Sequence, residues 1–136
     1  MKLKAFRFCM IVGAAALACL AIFYFAEFVE ISIAINNNGM QPDLKAYIRA
    51  LWLSFACQSL LIGGLYALVA WKPHAVSREV IVILGMLQLL EAVLQLSFSG
   101  SNISATVLTS TAAFVLLGAA LWPKRLPDEA PRSAGS

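Results

Sequence analysis

Three polar side chains within one apolar run are the residues best suited to chemistry in this sequence. Gln88, Glu91 and Gln95 follow one another at i, i+3 and i+7, so on a helix they lie within an arc of roughly 60°. An ionised carboxylate inside hydrocarbon costs at least about 2.5 kcal/mol, and such groups mark ligand sites and ion pathways. We therefore expect Glu91 to be protonated, paired or hydrated, and to form the centre of a polar pocket.

Further polar residues predicted to reach this pocket lie in two other apolar runs. Ser54 and Gln58 are i, i+4 neighbours in the second run. In the fourth run one helical face carries Asn102, Thr106, Thr109, Ser110 and Ala113. The predicted ligand pocket consists of Glu91, Gln88, Gln95, Gln58, Thr106 and Ser110. The alternative is that the amides and hydroxyls only hold helices together, at about 0.6 kcal/mol per contact.

A second set of ionisable residues is expected at the membrane interface. Glu27 and Glu30 end the first apolar run, and Arg49 begins the second. Carboxylates are tolerated at helix ends near the membrane surface, so both glutamates are expected to be solvated. Arg49 falls on the opposite helical face from Gln58, which favours Glu27 or Glu30, rather than Glu91, as its partner.

Four apolar runs must position these side chains: residues 8–26, 50–71, 80–98 and 103–122. Each is close to the roughly 20 residues that a helix needs to cross a bilayer core. With 61% hydrophobic and 12% charged residues, the chain is not a soluble domain. We predict an all-α fold, a four-helix transmembrane bundle with antiparallel helices and short loops. The membrane domain covers residues 1–122, with spans at about 8–33, 46–71, 78–98 and 103–122, and residues 123–136 form a disordered cytoplasmic tail.

The distribution of basic residues predicts the orientation. Eight of the ten lysines and arginines precede the first run, lie between the second and third, or follow the fourth. The positive-inside rule then places both termini in the cytoplasm, and we expect a multi-pass protein of the bacterial cytoplasmic membrane. The net charge of +3 reflects this topology and does not imply nucleic acid.

The sequence contains no motif that is typical of a metal site or of cofactor binding. Cys9, Cys19 and Cys57 all lie inside apolar runs without a paired-cysteine motif, and His74 is the only histidine. We therefore expect neither a metal nor another cofactor.

A set of short motifs carries a resemblance to a known group of proteins. These motifs are the stretch from Asp43 through Arg49 to Trp52, then Gly63-Gly64, Trp71-Lys72-Pro73, Gly85 and Ser97-Phe98-Ser99-Gly100. Over roughly residues 36–122 the chain resembles the small four-helix bacterial membrane proteins related to the DoxX-like group. The resemblance implies the fold more than an activity. Where relatives tend to carry an arginine in the third helix, this chain has Gln88 and Glu91.

Three classes of function follow from these residues. Because no catalytic constellation is present, we favour a non-enzymatic membrane protein, either an accessory or assembly partner or the binder of an apolar ligand in the outer-half pocket. The first alternative is a small proton- or cation-coupled transporter that uses Glu91. The second is a membrane enzyme on lipid or isoprenoid substrates with Glu91 as acid or base. Expected partners are the lipid bilayer and either another membrane protein or a second copy in a homo-oligomer.

Overall fold

The structure, a computed structural model, describes residues 2–99 and 102–122 and consists of four long helices. They are α1 (Lys2–Asn36), α2 (Pro42–Trp71), α3 (Arg78–Ser99) and α4 (Ile103–Ala120), with a 3₁₀ turn at Pro73–Ala75. All four are long and apolar enough to cross a membrane. The predicted all-α, antiparallel four-helix bundle with short loops is therefore confirmed. The predicted tail, residues 123–136, lies outside the described residues.

Local sequence signals determine where the helices begin and end. Pro42 stands in the first turn of α2, where its missing N–H removes no helical hydrogen bond. Pro73 follows α2 and cannot continue it. Asn102 caps α4, because its Oδ1 accepts a hydrogen bond from the backbone N–H of Ala105 at 2.7 Å. These signals separate the spans with short connections.

The packing of the bundle is uneven. Helix α1 packs closely against α2 and α4, and α3 packs closely against α4, whereas within the described residues the backbones of α2 and α3 do not approach closely. The rings of Phe6 and Trp122 meet edge to face with centroids 5.1 Å apart. The two ends of the described chain thus lie together. We call this the terminal end of the bundle, and the opposite end, with Asn36 and Asn102, the distal end.

Glycines allow the close helix approaches of the terminal half. A Cβ added at Gly63 would lie 3.2 Å from the carbonyl oxygen of Ala14, and one added at Gly118 would lie 2.5 Å from Met10 Cε. Small residues at these positions let the backbones of α1, α2 and α4 come together, as is common between membrane helices. The backbones of α1, α2 and α4 are therefore in close contact in the terminal half.

The two helical hairpins differ in length. Helices α1 and α2 have 35 and 30 residues, whereas α3 and α4 have 22 and 18. Because Gly118 of α4 lies beside Cys9 and Met10 of α1, the antiparallel register brings Ile103 to about the level of Tyr24. The α1–α2 hairpin consequently continues beyond α3 and α4 at the distal end.

Candidate functional site

Glu91 bridges the two helices that do not pack closely. Its carboxylate on α3 accepts a hydrogen bond from the side-chain amide of Gln58 on α2, and both side chains are half-buried. In the described part of the chain, no basic side chain forms an ion pair with Glu91. The bridge therefore joins a carboxylate to a neutral amide rather than to a countercharge.

A second polar contact lies on the distal side of this bridge. Gln95 Nε2 donates to the hydroxyl of Tyr24 at 3.0 Å. The Tyr24 ring meets the ring of Trp52 edge to face at 5.3 Å between centroids. The indole N–H of Trp52 in turn donates to the backbone carbonyl of Tyr24 at 3.0 Å. These contacts tie α1, α2 and α3 together on the distal side of Glu91.

Gln88 lies deeper in the bundle than Glu91. Its side chain is only 1% exposed, and neither its amide nitrogen nor its amide oxygen has a hydrogen-bond partner among the described residues. Gln88, Glu91 and Gln95 thus all face protein, one fully buried and two half-buried. The spacing of these residues in the sequence corresponds to this common face.

Neither Thr106 nor Ser110 hydrogen-bonds to Glu91 in the described structure. Both are exposed, and together with Leu96, Ala105 and Thr109 they line an open groove of about 210 Å³ beside α3 and α4. The hydroxyl of Thr106 donates to the carbonyl of Asn102 at 3.1 Å. Such bonds within one helix allow a hydroxyl to face lipid without a partner on another helix. The structure therefore does not place these two residues with the rest of the predicted pocket.

Two buried polar residues were not selected by the sequence reasoning. Tyr66 is 0% exposed and Thr111 is 1% exposed, and neither hydroxyl has a hydrogen-bond partner in the described structure. The sequence does indicate that both residues are buried. Tyr66 follows Gly63 by one turn and Thr111 precedes Gly118 by two turns, so each shares a helical face with a glycine that allows close packing.

The interface charges are arranged differently from the expectation. Arg49 donates to the side-chain oxygen of Asn36, and Lys45 Nζ donates to the backbone carbonyl of Asn36 at 3.1 Å. Neither Glu27 nor Glu30 forms an ion pair with a described residue. Asn36 ends α1, so its carbonyl lacks a helical partner and attracts cationic donors. Arg49 thus closes the α1–α2 connection instead of pairing with a glutamate.

The fold and the distribution of polar groups define a class of protein. Four apolar helices bury several polar side chains, among them Gln88 and Thr111, and expose large aliphatic side chains, which are therefore in contact with lipid. The protein is a four-span integral membrane protein. No known family model, curated protein or solved structure matches the chain. The resemblance to the DoxX-like group consequently stays a prediction.

Proposed function

We propose that this protein is a non-enzymatic protein of the bacterial cytoplasmic membrane that binds an apolar ligand at the α2–α3 interface. The Gln58–Glu91 hydrogen bond carries the proposal, because it is a polar contact between two helices whose backbones stay apart. Exposed leucines flank it within one turn: Leu61 on α2 and Leu87 and Leu94 on α3. A ligand with a long apolar body and one hydrogen-bond donor matches a carboxylate bordered by aliphatic side chains.

The charges of the terminal end support an orientation for this site. Lys2, Lys4 and Arg7 lie in the first turns of α1, and Arg78 begins α3 beside the end of α4. By the positive-inside rule this end faces the cytoplasm. The α2–α3 interface at Glu91 then opens toward the outer leaflet, and the proposed ligand enters laterally from lipid.

Photolabelling tests the proposed site. The protein is placed in nanodiscs of bacterial polar lipids and exposed to a long-chain alcohol that carries a diazirine at mid-chain. We expect labelled peptides from α2 near Leu61 and from α3 near Leu87. Glu91→Leu is expected to reduce this labelling several-fold, because the acceptor for the alcohol hydroxyl is lost.

Glu79 provides the matched control, since it is an exposed glutamate at the other end of the same helix. Glu79→Gln is expected to leave the labelling unchanged. Labels spread evenly over all lipid-facing helix surfaces, or labelling that survives Glu91→Leu, would contradict the proposal.

Proton- or cation-coupled transport is the second candidate. It is favoured by the observation that Glu91 has no basic partner among the described residues and is therefore free to exchange a proton or cation. To test this, the protein is placed in liposomes that enclose a pH-sensitive dye, and the dye reports proton flux after a step in external pH. Flux that Glu91→Gln abolishes and Glu79→Gln preserves would support transport, whereas flux equal to that of protein-free liposomes rejects proton coupling.

A further inference from the structure

Three buried polar side chains from three different helices lie at one level of the bundle, on the terminal side of Glu91. Tyr66 of α2 is 0% exposed, and Gln88 of α3 and Thr111 of α4 are each 1% exposed. They belong to the largest fully buried side chains of the described protein. This level, beside Gly13, is about midway along the part of α1 that α4 covers.

The contacts of two glycines, Gly13 and Gly85, define the relative positions of Tyr66, Thr111 and Gln88. A Cβ added at Gly13 of α1 would lie 3.5 Å from Tyr66 Cδ2 and 3.7 Å from Thr111 Cγ2, so both side chains border Gly13. On α3, a Cβ added at Gly85 would lie 3.3 Å from Val115 Cγ1. Because α3 and α4 are antiparallel, Gln88, one turn beyond Gly85, lies at the level of Thr111, one turn before Val115.

None of these side chains has its hydrogen-bonding groups satisfied by protein. The hydroxyl of Tyr66, the hydroxyl of Thr111 and both amide atoms of Gln88 are without a partner among the described residues. Tyr66 lies five residues before the end of α2 and Gln88 eleven residues before the end of α3, and it is their burial that keeps both side chains from bulk solvent. The hydrocarbon around a membrane bundle supplies no hydrogen bonds either. Buried polar groups without protein partners are the usual setting of ordered internal water.

We propose that Tyr66, Gln88 and Thr111 form an internal hydration site that binds a small cluster of water molecules at the centre of the bundle. The two hydroxyls and the amide offer both donors and acceptors, which suits water and does not require a charged ligand. The site is independent of the ligand proposed for the α2–α3 interface.

Water-edited solid-state NMR of the protein in lipid bilayers tests the site, with carbon-labelled threonine and valine. Thr111 and Val115 are one turn apart on α4, equally buried and both beside Gly13, but only Thr111 carries a hydrogen-bonding group, so Val115 serves as the apolar reference. We expect the Thr111 methyl carbon to receive magnetisation from water several-fold faster than the methyl carbons of Val115. Equal and slow transfer to both residues would overturn the proposal.

A variant checks that these residues hold the water. Tyr66→Phe keeps the ring and removes the hydroxyl, so transfer to Thr111 should slow toward the rate of Val115. Tyr47→Phe, at an exposed position of the same helix, should leave transfer to Thr111 unchanged. Unchanged transfer in Tyr66→Phe would contradict the assignment. If Tyr66→Phe does not fold, the comparison of Thr111 with Val115 in the unaltered protein still tests whether water is bound at this site.

Discussion

At the scale of single residues, Glu91 combines a charge with a hydrogen bond, and the two can be separated by substitution. Gln58 donates to the carboxylate. A glutamine at position 91 has nearly the same shape, and its amide oxygen can still accept that hydrogen bond, although the charge is gone. A leucine removes both and leaves the Gln58 amide without an acceptor.

The first prediction concerns the stability of these variants. Glu91→Gln is expected to leave the free energy of unfolding unchanged or raised, within about 1 kcal/mol, because a half-buried charge is removed and the hydrogen bond is kept. Glu91→Leu should lower it by roughly 0.6–1.7 kcal/mol, the range for hydrogen bonds between membrane helices. Reversible unfolding in bicelles measures both.

The double substitution Gln58→Leu with Glu91→Leu completes the cycle. It should recover most of the loss, because no unpaired amide then remains. Equal destabilisation by Glu91→Gln and Glu91→Leu would show that the charge matters to stability and the hydrogen bond does not.

Residue spacing predicted only part of the candidate site. The i, i+3, i+7 pattern of Gln88, Glu91 and Gln95 identified a common face that the structure turns toward protein. Thr106 and Ser110 are exposed instead, and the hydroxyl of Thr106 bonds to a carbonyl of its own helix, so their place in the pocket stays a prediction. A carboxamide or carboxylate side chain is less easily satisfied within its own helix, so its position indicates the buried face more strongly.

At the scale of helices, the α1–α2 interface depends on one of two adjacent glycines. Gly63 faces α1, where an added Cβ would meet the carbonyl oxygen of Ala14 and Leu17 Cβ, both at 3.2 Å. Gly64 is exposed, and an added Cβ there would have nothing within 4 Å. The pair therefore forms a matched test of close packing.

The second prediction compares alanine at these two positions. Gly63→Ala is expected to lower the free energy of unfolding by about 1–3 kcal/mol, because the helices must move apart or repack. Gly64→Ala should be neutral or stabilising by up to about 1 kcal/mol through helix propensity. Unfolding in bicelles compares the two, and similar losses at both positions would contradict the packing of α1 against α2.

The connection between α2 and α3 is attached to the end of α4 by an arginine. Arg78 Nε donates to the carbonyl oxygen of Ala119 at 3.0 Å. The same carbonyl accepts from the backbone N–H of Trp122 at 3.3 Å. Because the end of a helix carries partial negative charge, the guanidinium adds a charge-assisted hydrogen bond there.

The third prediction follows from this contact. Arg78→Gln is expected to lower the free energy of unfolding by roughly 0.5–1 kcal/mol and to increase amide hydrogen exchange in the last turn of α4. Arg7→Gln removes an exposed arginine at the same end and should change neither quantity. Unaltered exchange at the end of α4 in Arg78→Gln would contradict the capping role.

At the scale of the whole molecule, hydropathy was sufficient to predict the number of helices and their antiparallel order. Each helix must satisfy its own backbone in lipid, so a long apolar run has one stable structure. Hydropathy does not distinguish which neighbours pack closely. The close contact of α1 with α4 and the separation of α2 from α3 depend on small residues that are matched between helices, such as Gly118 with Cys9.

The fourth prediction concerns orientation. In a background without Cys9, Cys19 and Cys57, Asn37→Cys in intact cells should react with a membrane-impermeant maleimide, and Ser133→Cys should react only after the membrane is opened. The reason is the concentration of lysine and arginine at the terminal end of the bundle. Protection of position 37 together with reaction of position 133 would reverse the proposed topology.

The unequal hairpins have a consequence for the position of the protein in the bilayer. At 1.5 Å per residue, α4 covers only ~27 Å, somewhat less than a typical hydrocarbon core, whereas α1 extends over ~52 Å. The extra length of the α1–α2 hairpin carries charged residues: Glu27, Glu30, Asp43, Lys45 and Arg49. The apolar runs of all four helices are similar in length and match one thickness of hydrocarbon, so this charged extension does not belong inside it. The distal part of the α1–α2 hairpin therefore stands beyond the hydrocarbon core, where its side chains are within reach of water and of soluble molecules.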